Sequence, residues 1–370
     1  MTQPLRVLLV SANFRPSVGG IERYVEILAG ALAQRGHDVT VAACRTDGAP
    51  AGEEQVDGLR VVRIPATDVL DSRLNVPYPL PEPIAAARTL RRLVSEADVV
   101  NPQDALYATS VLALGLARRQ GVASVLTQHV GFVPQARRAL DLLQRAGIGT
   151  IGRSARLATR VVSYNPAVAS WAKETWGLED VRVLPPGVPD PPEVDRDAVR
   201  RELGLPADRF VALFVGRDVP KKGLDVFLGA RDPAYELLAV TDRSAEAAPA
   251  EARILPFLDP VRFRKLLCCV DAFVLPSEGE GFPLALQEAL VTGIPCVVAP
   301  SPGYDHYLRA DEVLFVDRDA GAVRDAIKRL ARDESFREEL AARARAAGRR
   351  EFSIENFAQA YEKLYLEVRR

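Results

Sequence analysis

Two glutamates eight residues apart, Glu280 and Glu288, lie in the stretch Leu275 to Cys296, LPSEGEGFPLALQEALVTGIPC. An apolar run stops at Pro276, an acidic glycine-rich loop follows, and Pro283 opens a helical pattern. Proline is tolerated in a first helical turn, where its missing N–H would be unpaired anyway. Gly293 and Pro295 close the helix. Glu280 is therefore expected in the loop at the positive helix end. Glu288 falls about five residues beyond Pro283, roughly 7–8 Å along the axis. Carboxylates at that reach suit hydroxyls at the two ends of a ligand, and the helix N-terminus suits a phosphate between them. A nucleotide sugar has that form. The plainer alternative is an acidic loop capping a helix, with Glu288 on its solvated face.

A second constellation is Gly216-Arg-Asp-Val-Pro-Lys-Lys-Gly223, directly after an expected strand. Arg217 and Lys222 place two cations at a strand's carboxyl edge. A diphosphate can be held there, bidentately by arginine and by lysine as a point charge; a solvated turn is the alternative. Gly19 and Gly20 follow the first expected strand and open the first helix, which suits close approach of an anion. The segment lacks G-x-G-x-x-G, which disfavours a nicotinamide or flavin site. His129 ends the strand Val125-Leu-Thr-Gln-His129 and is a candidate hydrogen-bonding partner for sugar or phosphate, or else a structural histidine. His37 reads as a turn residue. The arginines 137, 138, 145, 153, 156 and 160, interleaved with apolar residues, are opposed only by Asp141. They form either a solvated helix face or a peripheral contact with anionic lipid.

Alternating strands and helices must position these groups. Leu5 to Val10 is a largely apolar run, the pattern of a strand buried on both faces of a parallel sheet. Helix Gly20 to Gln34, strands Val39 to Ala43 and Leu59 to Ile64, and further alternation to Leu184 follow. Pro134 to Ala158 is expected to be largely helical. The proline-dense Pro185 to Pro192 reads as a linker. A second alternation has strands at Phe210 to Val215, Glu236 to Val240, Ala272 to Leu275, Cys296 to Ala299 and Val313 to Val316. This α/β pattern implies Rossmann-like domains over 1–186 and 187–352. A last helix, 353–370, is expected to dock back on the N-terminal domain. Ligands bind at strand carboxyl ends in such sheets.

Composition narrows the classes. The 370 residues are 48% hydrophobic and 26% charged, with a formal net charge of -1. That is a globular composition without a bulk field for nucleic acid. No export signal or membrane-length apolar run is evident, so a cytoplasmic enzyme is expected, with peripheral contact at the inner face of the cell membrane as the alternative reading of the 132–160 region. Cys44, Cys268, Cys269 and Cys296 lack zinc spacing and read as buried thiols, and three histidines argue against a multi-histidine metal site. The 42 arginines and 6 lysines make adjacent Lys221 and Lys222 conspicuous.

Together these segments resemble glycosyltransferase family four, retaining enzymes of the GT-B fold. The resemblance rests on Gly19-Gly-Ile-Glu-Arg-Tyr24, Arg35-Gly-His-Asp-Val39, Leu184-Pro-Pro-Gly-Val188, Val215-Gly-Arg to Lys222-Gly223, and Glu280-Gly-Phe-Pro to Glu288-Ala289. It implies two Rossmann-like domains facing each other across a donor-binding cleft. It also implies transfer of a sugar from a nucleotide diphosphate donor to a sugar or lipid-linked acceptor, in glycan, glycolipid or polysaccharide synthesis. In the implied roles Glu280 contacts the donor sugar and Glu288 the ribose. Arg217 and Lys222 neutralise the diphosphate, and His129 lies near the donor sugar. Gly19 and Gly20 approach the diphosphate from the other domain, and Phe282 and Leu284 complete the donor site. Neither metal nor cofactor is expected, because the cations do the metal's work. A sugar-nucleotide epimerase of similar fold and an inactive donor-binding partner are the rival readings. The chain departs from the family in three places. Ala239-Val-Thr-Asp-Arg-Ser244 stands where a glycine-rich turn is usual. Asn101-Pro-Gln103 stands where a histidine often follows a strand, and Pro283 replaces a common glycine.

Overall fold

A computed structural model describes residues 3–17, 19–45, 49, 52–67, 78–131, 147–249, 251–278, 282–301 and 303–369. The chain divides into two compact units, Met1–Gly187 with Ile354–Arg370, and Val188–Ser353.

In the first unit, β1 (Arg6–Ser11), β2 (Asp38–Cys44), β3 (Gly52–Val56) and β4 (Leu59–Ile64) are followed by β5 (Val99–Pro102), β6 (Ala123–Gln128), β7 (Arg160–Ser163) and β8 (Arg182–Val183). Among the described residues they form one sheet in the order β8-β7-β6-β5-β1-β2-β4-β3. All neighbours run parallel except β3 against β4. β1 is buried on both faces because its alternate residues feed two cores. Val7 and Leu9 pack with α1 (Gly20–Gln34) and the last helix, while Leu8 and Val10 pack with the helices Pro83–Glu96 and Ala108–Gln120. The last helix, Ile354–Arg369, supplies Phe357, Tyr361, Leu364 and Tyr365 to the α1 face. It is also tied there by Arg35, which donates from Nε to Glu362 at 3.0 Å.

β3 was absent from the expected strands. Its sequence GEEQV has no apolar face, and it is an edge hairpin partner whose glutamates meet Arg60 and Arg63 on β4. His37 is no turn residue: it is buried, and its Nδ1 accepts the Leu5 N–H at 3.1 Å. The described part of 134–158 is a single helical turn at 147–150 and a 3₁₀ segment, Ile151–Leu157, instead of a long helix. The remainder of that segment, with Arg137, Arg138 and Arg145, lies outside the described residues. Cys44, Cys269 and Cys296 are buried, whereas Cys268 is only half-buried.

The second unit has β9 (Phe210–Val215), β10 (Tyr235–Val240), β11 (Ala252–Leu255), β12 (Ala272–Leu275), β13 (Cys296–Val298) and β14 (Leu314–Phe315). Their order is β11-β10-β9-β12-β13-β14, all parallel. One continuous core covers both faces. β9 lies centrally between β10 and β12, so the loops after β9 and β12 emerge side by side at the carboxyl edge.

Candidate active site

In the second unit the strand β9 ends at Val215, and the loop after it is fixed by charge. Asp218 donates its N–H to Asp242 Oδ1 at 2.6 Å. Arg243 grips both Asp218 oxygens at 2.7 Å and reaches Asp225 Oδ1 at 2.8 Å. Backbone and side-chain hydrogen bonds to Asp242, led by the Asp218 N–H, hold its carboxyl below the usual range. So the stretch Ala239 to Ser244, which departs from the usual glycine-rich turn, carries an aspartate-arginine clamp. Arg217 is exposed on this loop, and Lys222 is half-buried one 3₁₀ turn later.

Gly223 ends that turn with φ +76, and a Cβ there would collide with the Pro276 carbonyl oxygen. The site thus requires glycine twice over, for its left-handed backbone and for the close approach. The loop after β12 is joined to it directly and through Arg318. Glu278 donates its N–H to Lys221 O at 2.8 Å. Arg318 donates from Nε to Pro276 O at 2.9 Å, and from Nη2 to Pro220 O. Its Nη1 lies 3.5 Å from Glu278 Oε2. Arg318 therefore staples the cationic loop to the loop that carries the glutamate motif.

Helix Leu284–Thr292 begins beyond that loop, with Pro283 at its N-cap instead of inside the first turn, and closes at Gly293 with φ +81. Leu284 is its first residue, so its N–H is among those without an intrahelical acceptor. Glu288 is buried, not solvated, at 6% exposure. The ring of Phe282 is buried against Tyr304, Tyr307 and Phe352, with centroids 5.2, 5.1 and 4.8 Å away. That leaves its main chain as the part able to meet a ligand, and its carbonyl already accepts from Gln287 Nε2 at 3.0 Å. Glu280 lies outside the described residues. Arg217 and Lys222 thus lie on one carboxyl-edge loop, Phe282 and Leu284 at the end of its neighbour, and Glu288 in the second turn of the helix that follows.

In the first unit Gly19 caps α1 in an extended conformation, and a Cβ on it would run into the Glu22 carboxylate. Glu22 folds back over the helix N-terminus, and burial raises its carboxyl above the ordinary value. Gly20 is open. His129, just past β6, is 4% exposed, and burial lowers its imidazole to about 3. It is therefore neutral at working pH and offers no positive charge to a phosphate. Its ring stands edge-on to Tyr24 of α1 at 4.7 Å. α1 and the end of β6 are thereby brought together.

Beside it is Asp104, which is not among the expected site residues. It is 2% exposed, and its φ of +66 is a conformation aspartate tolerates better than most residues. Its Oδ1 accepts the Leu106 N–H at 3.2 Å, and burial pushes the carboxyl up to about 6 against the pull of nearby donors on Leu106, Gln128, Val130 and His129. An aspartate after the β5 strand, next to the departing Asn101-Pro-Gln103, was the available signal. Arg318 and Arg243 carried none, since each is one arginine among many.

Parallel sheets with charged loops at their carboxyl edges are the arrangement of the open α/β ligand-binding class, and comparison specifies it. The chain matches the models for Glycosyltransferase Family 4 over residues 18–190 and Glycosyl transferases group 1 over residues 242–347. It is 32% identical over 335 residues to the GDP-mannose-dependent alpha-(1-6)-phosphatidylinositol monomannoside mannosyltransferase of Mycolicibacterium smegmatis, covering 80% of this chain and 81% of that one. It is 30% identical to a GDP-mannose-dependent alpha-mannosyltransferase of Mycobacterium tuberculosis, covering 93% of each. Among solved structures, the sucrose-phosphate synthase of Thermosynechococcus elongatus superposes with a TM-score of 0.73 at 20% identity, over 98% of both chains. The protein belongs to glycosyltransferase family 4, and its fold is GT-B. No helix of the described residues is long and apolar enough to cross a membrane.

Proposed function

We propose that the protein transfers a hexose from a nucleoside diphosphate sugar to an acceptor hydroxyl with retention of configuration. The observation that carries this is the cationic loop of Arg217 and Lys222, stapled by Arg318 to the loop leading into helix Leu284–Thr292. Arg217, Lys222 and the free N–H groups of that helix stabilise the departing diphosphate, so no metal is needed. The bond from the anomeric carbon to the phosphate oxygen breaks as the acceptor oxygen bonds on the same face. The acceptor proton passes to the leaving phosphate, giving glycoside and nucleoside diphosphate. Glu280 holds the sugar and Glu288 the ribose. Gly20, at the open start of α1, is the anion-facing residue of the first unit.

GDP-mannose is the donor to test first, since the relatives named above are described as GDP-mannose-dependent. Replacing Arg217 or Lys222 with alanine should lower kcat by about 10²–10³. Near-normal turnover in both variants would overturn the assignment. Release of free nucleoside diphosphate only with acceptor present separates transfer from epimerisation, and binding without turnover would mark an inactive donor-binding partner.

The acceptor side is proposed to work at the cytoplasmic face of a membrane, through the arginines between 132 and 160. Two observations support this: their apolar interleaving, and a relative named as a phosphatidylinositol monomannoside mannosyltransferase. Salt-sensitive binding to anionic vesicles is the expected result; its absence in the full chain would remove the membrane contact from the proposal.

A further inference from the structure

The imidazole of His129 is constrained by a buried amide. Gln103 is wholly buried, its main chain fixed by Gln103 N–H to Val10 O at 2.8 Å and by Ser110 Oγ donating to Gln103 O at 3.0 Å. Its side chain spans two groups. Nε2 donates to Asn101 O at 3.0 Å, and Oε1 lies 2.9 Å from His129 Nε2. A carbonyl only accepts, so the amide nitrogen must face Asn101; turning the amide over would set two oxygens against each other. Oε1 is then the atom facing the ring, and it too only accepts. His129 Nε2 must therefore carry the hydrogen. In a neutral imidazole that makes Nδ1 the lone-pair nitrogen.

The ring plane is held from a second side. Tyr24 stands edge-on to it, and Tyr24 Oη meets Tyr361 Oη at 2.7 Å. Tyr361 Oη meets Thr127 Oγ1 at 2.9 Å, and Asn101 Nδ2 donates to Thr127 Oγ1 at 3.0 Å. Asn101 Oδ1 accepts from Tyr365 at 2.8 Å. Asn101 thus joins the amide that sets the tautomer to the tyrosines that set the ring plane, and every member is buried. A fully satisfied buried network of this kind enforces one arrangement.

We propose that Gln103 is a positioning residue that holds His129 as the Nε2–H tautomer, so that the ring meets a ligand only as a hydrogen-bond acceptor, at Nδ1. An acceptor cannot bond a phosphate oxygen. It can take the hydrogen of a sugar hydroxyl, and the ring thereby selects the hexose end of the donor, or the acceptor alcohol, over the diphosphate. The consequence for transfer rests on the proposed function; the tautomer itself does not.

The test is two-bond ¹⁵N–¹H spectroscopy of the full chain labelled in histidine, with His129 assigned by its loss in His129→Asn. The expected result is a protonated Nε2 and an unprotonated Nδ1 across roughly pH 5 to 8. In Gln103→Leu the Nδ1–H form should appear. There kcat should fall about tenfold while the KM for donor stays within about threefold. Tyr361→Phe should keep the Nε2–H form. A wild-type ring in the Nδ1–H form, or one that becomes doubly protonated within that pH range, would overturn the proposal even if Gln103→Leu does not fold. An unchanged tautomer and kcat in a folded Gln103→Leu would overturn it as well. A wild-type Nε2–H ring in a protein that transfers no sugar would sink the proposed function and leave the tautomer assignment standing.

Discussion

Asp104 and Gly223 show how single residues hold costly conformations where chemistry is expected. With the Asp104 carboxyl raised from 3.8 to about 6 by burial, the folded chain keeps a proton that the unfolded chain releases. The stability this contributes is present in full below about pH 4 and is lost as pH rises through about 6. Asp104→Asn removes the titration while tolerating the positive φ. Relative to wild type, the variant should gain up to about 3 kcal/mol between acid and neutral pH. Urea unfolding at both ends of that range measures it, and a pH-independent difference would refute the burial argument. Gly223→Ala meets both a left-handed backbone and the Pro276 carbonyl. It should cost about 1–3 kcal/mol and weaken donor binding through Lys222, read as a lower Tm with a raised donor KM. Little of this was legible in the linear pattern. An aspartate after a strand gives no sign of a proton held near neutrality. Phe282 shows the same limit: its place in the glutamate motif hides that its ring meets tyrosines and a phenylalanine 22 to 70 positions downstream.

At the scale of elements, the site in the second unit is two loops made into one body. Arg318 has a single planar fork that reaches carbonyls on both loops, Pro220 O and Pro276 O. Arg318→Ala should lower nucleoside diphosphate affinity about tenfold with a Tm change of only a degree or two, since the core beneath is untouched. Arg318→Lys should not restore affinity, because one ammonium cannot reproduce the fork. Titration calorimetry of wild type and both variants decides this, and rescue by lysine would reduce Arg318 to a point charge. The elements themselves were largely readable. Helix Gly20–Gln34 and strands Leu59–Ile64, Phe210–Val215 and Ala272–Leu275 fall where hydrophobic runs and glycine stops put them. β3 escaped because an edge strand that pairs through glutamates has no apolar signal. Arg318 escaped because the partners that make it a staple are backbone carbonyls, which leave no mark on a sequence.

At the scale of the molecule, helix Ile354–Arg369 follows the second unit in sequence but belongs to the first in structure. Its Phe357, Tyr361 and Tyr365 finish the core that α1 begins, and Glu362 holds Arg35 beside His37. Truncation after Ser353 should therefore unfold the first unit while the second still binds nucleoside diphosphate. Calorimetry would show one transition lost and the surviving one raised by ligand. Loss of both transitions would show that the units are not separately stable. The same placement sets an order of events at the ribosome. The second unit has all its residues once Ser353 emerges, whereas the apolar flank of α1 waits uncovered until some sixteen more have followed. Of the two units, the one that begins earlier is thus the later to be finished. Over that interval its exposed flank is a natural client surface for whatever shields nascent chains.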